Sequence, residues 1–267
     1  MRALVIFVFA ALLAPASLAP AAAHEIPDPA IKHDARDGIV KLYGAGGPDT
    51  AFRKVAEVFH RETGIAVEVI AGPEPTWSKK AQADADILWG TAEQEITALL
   101  ETYKVFSSEE VMPIYIRPAV IAVKKGNPKG IKGFDDLLTD GTRIVVTEGA
   151  GVANTSGTGV WEDVAGRLGR LEDIKRFRKN IVAFGKGSGA SYKAFIDADA
   201  DAWITWPDWP ITHADKADLV ELADERKIWR DVNIVVAPDA DPQARQFVGF
   251  LLSDRGAAIM KTEGWVR

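Results

Sequence analysis

The chain contains no cysteine, and that absence closes several routes at once. No disulfide can brace the fold, no thiolate can bind metal or attack a substrate, and no thiol can carry a lipid anchor. Stability must come from an apolar core, which a chain of this length can bury. Histidine is scarce as well: of four, His24 and His33 lie in a polar arm, His60 at a helix end, and only His213 near a candidate loop. No Gly-x-Ser-x-Gly elbow, His-Glu-x-x-His pair or Walker-type phosphate loop occurs, and the adjacent acids Glu162 and Asp163 point to different sides of a helix. An enzyme is therefore not expected. Lysine plus arginine number 32 against 38 aspartate plus glutamate and form no block, which argues against nucleic-acid binding. Internal repeats and low-complexity tracts are missing too.

Only the first residues approach a membrane-length apolar run. Arg2 is the sole charge before His24, Ala3 to Leu13 is apolar, and Ala21-Ala22-Ala23 offers small residues to a peptidase. That pattern reads as a secretory signal peptide cleaved after Ala23; the competing reading is a retained anchor, against which Pro15 and Pro20 speak. Cleavage would leave about 244 residues with a net charge of −7, against −6 for the whole chain, in one or two domains. A soluble product without a lipid anchor suits a periplasm.

What is present is a recurring plan of strand, loop and helix. Ile39, Val40, Leu42 and Tyr43 make a mostly apolar run broken by Gly44-Ala45-Gly46-Gly47-Pro48, after which Phe52, Val55, Ala56 and Phe59 recur at helical spacing and Gly64 stops the helix. Ile65 to Ile70 is the next strand, ended by the loop Ala71 to Trp77. A crossover this short makes the two strands parallel, with both loops on the edge where open α/β sheets bind ligands. Ala85 to Trp89 is a third strand, delivering Gly90 and Thr91 to the same edge, and Thr91 is placed to cap the next helix.

Ile114 to Val123 changes the register and leads to a second set. Arg143 to Val146 is a strand, Glu148 to Gly159 a glycine-rich loop, and Val160, Val164 and Leu168 mark a helix. Ile181 to Phe184 is a strand, Ser188 opens the helix of Tyr192, Phe195 and Ile196, and Ala202 to Trp206 is another strand. Val232 to Ala237 answers the Ile116 to Val123 run. Two separated crossings between two α/β halves describe a hinge. The tail is helical, with Ser253 capping a last helix that stops near Gly264.

In this order of features the chain resembles the type II periplasmic solute-binding proteins of ABC transporters, the molybdate- and sulfate-binding group in particular. The carrying segments are Leu42 to Pro48, Phe59 to Gly64, Arg117-Pro118 with Lys125-Gly126-Asn127-Pro128, and Phe247 to Gly264. More narrowly, Gly72 to Trp77, Gly159 to Asp163 and Asp201 to Trp206 resemble the accessory colonisation factor subfamily. The resemblance implies an α/β, two-lobed fold, each lobe a mostly parallel sheet flanked by helices. The expected division is a signal over 1–23, an arm over 24–37, a first lobe of 38–117 plus 233–267, and a second of 118–232. It further implies a small-molecule ligand, an inner-membrane ABC permease as partner, a monomer, and no cofactor.

The candidate ligand contacts follow from the edge loops. Gly46 and Gly47, then Gly90 and Thr91, come from the first lobe; Asn154, Thr155, Ser156, Thr158 and Gly159, with Ser188, come from the second. Backbone N–H groups and hydroxyls at helix starts suit an anion. For Thr91 and Ser188 the plain helix cap is the favoured role. Arg117, beside the hinge, either counters the anion or forms an ion pair. Trp77, Trp89 and Trp206 either line the cleft or pack beneath it, whereas Trp161, Trp203 and Trp265 belong to the core. If the rings lined the cleft, an organic cation or a sugar would replace the anion, with Glu93 or Asp208 as counter-charge. A secreted enzyme or adhesion factor on the same fold is the third reading.

Overall fold

A computed structural model describes residues 26–148 and 157–267. Among these residues the strands form two five-stranded sheets. The first is ordered β2-β1-β3-β10-β4, built from β1 (Val40–Gly44), β2 (Val67–Ala71), β3 (Ile87–Gly90), β4 (Met112–Pro118) and β10 (Trp229–Val236). The second is ordered β7-β6-β8-β5-β9, from β5 (Val120–Lys124), β6 (Ile144–Glu148), β7 (Ile181–Lys186), β8 (Ala202–Thr205) and β9 (Ala217–Glu221). Each sheet has the same design. Three strands run parallel with the first-formed in the middle, and two antiparallel strands extend one side.

The parallel part follows from the local patterns. α1 (Asp49–Thr63) turns Ala51, Phe52, Val55, Ala56 and Phe59 inward, and Gly64 ends it in the left-handed region at φ 76°. β1 splits its side chains by its period of two: Val40 and Leu42 join α1 and α8 (Pro242–Leu251) on one face, while Tyr43 joins α3 (Glu93–Thr102) on the other. A strand buried on both faces must be apolar almost throughout, which explains its composition, interrupted only by Lys41, which pairs with Asp37 and Asp84. Each fully buried large apolar side chain contributes about 1.5–3 kcal/mol. The second sheet is covered by α4 (Val160–Gly166) and α5 (Leu171–Lys179) on one face and α6 (Ser188–Asp197) on the other.

The antiparallel strands carry the chain between the sheets. The Ile114 to Val123 run is two strands: β4 ends at Pro118 and β5 starts at Val120 in the other sheet. β10 returns beside β4, pairing Asp231 with Ile116 and Arg230 with Arg117, and the Ala119 N–H donates to the Ile228 carbonyl at 2.7 Å. The two crossings thus lie side by side. α9 (Asp254–Thr262) is capped by Ser253, whose hydroxyl oxygen accepts from the Gly256 N–H, and Gly264 turns the tail at φ 83°.

Three expectations need correction. Thr91 does not cap α3, which starts at Glu93 after Ala92; its side chain is spent elsewhere. Ser188 is the first residue of α6 behind Gly187, so it is not the cap. Leu168 lies beyond α4 and is 37% exposed, because α4 ends at Gly166 and a separate helix, α5, follows.

Candidate functional site

The best-defined polar cluster lies where the carboxyl ends of β1 and β3 meet the crossing strand β4. Gly47 stands in the loop after β1 with φ 101°, a conformation that costs other residues about 1–2 kcal/mol. A Cβ placed on it would lie 3.1 Å from Arg117 Nη2 and 3.2 Å from Thr91 Cγ2. Gly47, Thr91 and Arg117, three residues from three segments, therefore converge.

Arg117 is 1% exposed, a burial that an isolated cation could not sustain. Its Nη1 pairs with the carboxylate of Asp208, the first residue of α7 (Asp208–Thr212), which follows β8 of the second sheet. The guanidinium lies over the rings of Trp206 and Trp265, 4.9 and 4.2 Å from their centroids. One ring belongs to the core of the second sheet and the other to the core of the first. Burial pushes the Arg117 pKa down and that of Asp208 up, and each partner's charge opposes the other's shift. Thr91 directs both its N–H and its hydroxyl to Glu95 Oε2, each at 2.6 Å, and Glu95 acts electrostatically on Arg117. The tail closes over the cluster: a Cβ on Gly264 would lie 2.4 Å from Pro207 Cβ.

A second group gathers at the carboxyl edge of the second sheet. Thr147 and Ser191 share a hydrogen bond of 2.7 Å, and Ser191 also donates to the Gly187 carbonyl. A Cβ on Gly157 would be 3.3 Å from the Ser188 hydroxyl, so Gly157, Ser188 and Thr147 are neighbours. Thr158 and Gly159 precede α4, Gly159 at φ 70° with open space around its Cβ position. Asn154, Thr155 and Ser156 lie outside the described residues.

The remaining candidates are placed differently. Gly46 is exposed at the tip of the loop after β1. Gly90 is packed beneath α3, where a Cβ would come within 2.7 Å of the Ile96 nitrogen. Trp77 is 2% exposed, donates to the Gly72 carbonyl and stacks on Tyr103 in the core of the first sheet. Trp89 is fully buried and donates to the Ala45 carbonyl, bracing the loop from below. Trp206 is buried as well, but against Arg117.

The sequence offers Asp208 only as a counter-charge for a cation and does not single out Glu95 or Asn233. Asn233 is fully buried on β10 opposite Gly90. The stretch Trp206-Pro207-Asp208-Trp209-Pro210, following a strand directly, is the signal that could have raised Asp208. Among the described residues no group of His, Asp and Glu is placed to hold a metal ion, and no helix is long and apolar enough to cross a membrane.

Two mixed sheets joined by two adjacent crossings, with a polar cluster where their halves meet, define the two-lobed periplasmic-binding-protein fold, the class of the solute receptors. The sequence profile of bacterial extracellular solute-binding proteins matches residues 40–266, and the chain belongs to that family. Peb3 from Campylobacter jejuni is 41% identical, with a TM-score of 0.79 over 85% of this chain and 99% of Peb3. The structure of PEB3 with L-phospholactate bound is 42% identical, with a TM-score of 0.80 over the same shares. A sulfate-binding protein of Synechococcus elongatus is 29% identical over 109 residues, which are 39% of this chain and only 31% of that relative. SubI, the sulfate-binding protein from Mycobacterium tuberculosis, shares the fold alone, with a TM-score of 0.66 at 15% identity over 85% of each chain.

Proposed function

We propose that this protein is the periplasmic receptor of an ABC-type importer, capturing a small anion between its sheets and delivering it to an inner-membrane permease. The observation that carries the reading is Arg117, a guanidinium 1% exposed beneath the Gly47 turn, on the sheet edge where open α/β folds bind ligands. Beside it, the buried indole N–H groups of Trp206 and Trp265 have no acceptor among the described residues. An oxyanion would supply acceptors to donors that are otherwise costly to bury.

Among anions, a compact organic acid bearing a phosphate fits best, since PEB3, 42% identical over nearly all its length, is seen with L-phospholactate. Such a ligand has two charged ends. Arg117 and the Gly47 N–H would take one, and Thr158, Gly159 and Ser188, with Asn154, Thr155 and Ser156, the other. The lobes of 38–117 plus 233–267 and of 118–232 would close about the paired crossings. An organic cation or sugar is disfavoured, because Trp77 and Trp89 are packed in the core of the first sheet, bound to the Gly72 and Ala45 carbonyls, and the Trp206 ring already faces Arg117. The working unit is a monomer without cofactor or catalytic activity, in the accessory colonisation factor branch of the family.

A thermal-shift series with L-phospholactate, phosphate, sulfate and molybdate tests the reading. At a hundredfold excess over Kd a true ligand adds about 2.7 kcal/mol. That corresponds to a rise in Tm of roughly 5–10 °C for a chain of this size. If none of the four moves the melting curve, the anion reading fails.

A further inference from the structure

Among the described residues, two carboxyl groups act on the single cation Arg117. Asp208 is paired with it, and Glu95 lies within electrostatic reach, so one cation shares a sealed space with two carboxyl groups. Asp208 and Glu95 are each 7% exposed. The rings of Trp206 and Trp265 both lie against the guanidinium. Residues 149–156 contain no ionisable side chain that could alter this count.

An incoming anion would raise that excess in a region where water cannot screen it. Arginine keeps its proton in proteins, so relief can come only at a carboxyl group. Glu95 is stabilised as a carboxylate by two short hydrogen bonds from Thr91. Asp208 is held by its own backbone N–H and by Arg117 on β4, which the anion would engage, while Asp49 at the start of α1 repels it.

We propose that the anion is taken up together with one proton, and that Asp208 receives it. This inference rests on the anion reading of the same site and adds the proton to it. The proton comes from solvent and converts the Asp208 carboxylate to a carboxylic acid, with no other bond made or broken. The acid keeps an acceptor oxygen for Arg117 and gains an O–H donor. Burial already raises the Asp208 pKa, and an anion near Arg117 raises it further, so binding tightens as the pH falls.

Sulfate stays a dianion between about pH 5 and about pH 8, so any proton taken up with it must go to the protein. Titration calorimetry of the intact protein in buffers of different ionisation enthalpy should show uptake approaching about one proton. Sulfate affinity should rise by up to about tenfold per pH unit on acidification. Asp208→Asn should bind sulfate at least as tightly near pH 8 and lose both effects, and Glu95→Gln should keep them. For L-phospholactate, whose phosphate itself titrates near pH 6, the quantity to compare is the difference in uptake between wild type and Asp208→Asn. Binding without proton uptake, with affinity flat in pH, overturns the proton step and leaves the anion reading standing. Uptake retained in Asp208→Asn, or lost in Glu95→Gln, overturns the assignment to Asp208. If neither probe binds at any pH, both ideas fall together; if Asp208→Asn does not fold, the wild-type and Glu95→Gln titrations decide.

Discussion

Among the described residues two arginines, Arg226 and Arg117, are buried with nearly the same local chemistry, and they sit in different places. Arg226 is 3% exposed, pairs with Asp173, lies over the Phe134 ring at 4.0 Å and donates to the Val164 carbonyl. Every one of those partners comes from elements around the second sheet, so the cluster staples α4 to α5 inside one half. Arg117 has the same ingredients, a buried aspartate and aromatic rings, but draws them from both halves at the carboxyl edge of the sheets. A buried Arg–Asp pair is thus no sign of function in itself. Its place distinguishes the two: one pair holds helices together within one core, and the other joins the two halves at a strand edge, where the proposed anion would enter.

The comparison can be broken by separating stability from binding. Arg226→Ala should cost about 3–5 kcal/mol, because it leaves the Asp173 charge buried and unpaired, while the anion-dependent rise in Tm persists. Arg117→Ala should cost a similar amount and abolish that rise. Replacing whole pairs sharpens the point: Arg226→Met with Asp173→Leu, and Arg117→Met with Asp208→Leu, should both recover stability, but only the first should respond to anion. An anion response retained without Arg117 would end the distinction.

A smaller effect separates the loops of the two halves. Gly44, at the end of β1, has the Trp89 ring and carbonyl within 2.5 Å of its Cβ position, whereas Gly189 in α6 has nothing within 4 Å. Gly44→Ala should therefore destabilise by about 1–3 kcal/mol through overpacking, measured by denaturant unfolding. Gly189→Ala should stabilise by up to about 1 kcal/mol, the ordinary helix preference for alanine.

The smallest expected effect is in pH dependence. Asp86, buried at the start of β3, is pushed up to about 6 by burial, with Asp241 adding repulsion and two backbone N–H groups opposing. The folded state then holds a proton that the unfolded chain has released, so stability falls as the pH rises between about 4 and about 6. Thermal melts across that range should slope downward and flatten in Asp86→Asn. Around the second sheet, Asp199, Asp218 and Asp224 are held low by lysines at the surface, and their support is lost only as the pH falls below the unfolded value of 3.8. A slope in the upper window that survives Asp86→Asn would contradict this division.

Much of the fold was legible along the chain, because the information is local. The period of two in Val40 to Tyr43, the helical spacing of Phe52 to Phe59 and the left-handed stop at Gly64 each involve residues within a few positions of one another. The candidate site was legible in part. Gly47, Thr91 and Arg117 do meet, since the crevice rule brings edge loops together whatever their side chains. Thr91 and Ser188 are not caps, because α3 starts at Glu93 after Ala92 and Ser188 is itself the first residue of α6, and local preference does not fix a helix boundary to within one or two residues. The tryptophans were ambiguous for a similar reason: a strand end carries its ring into the core or the crevice according to the twist of the sheet.

What the amino-acid order settled alone was the succession of strands, turns and helices, the doubled plan and its two crossings, all of which follow from spacing and backbone preference. What only the folded chain decided was which charges are enclosed together. Asp208 lies 91 positions from Arg117, and Trp265 comes from the far end of the chain. No periodicity relates such residues, and their meeting depends on how two sheets are set against each other.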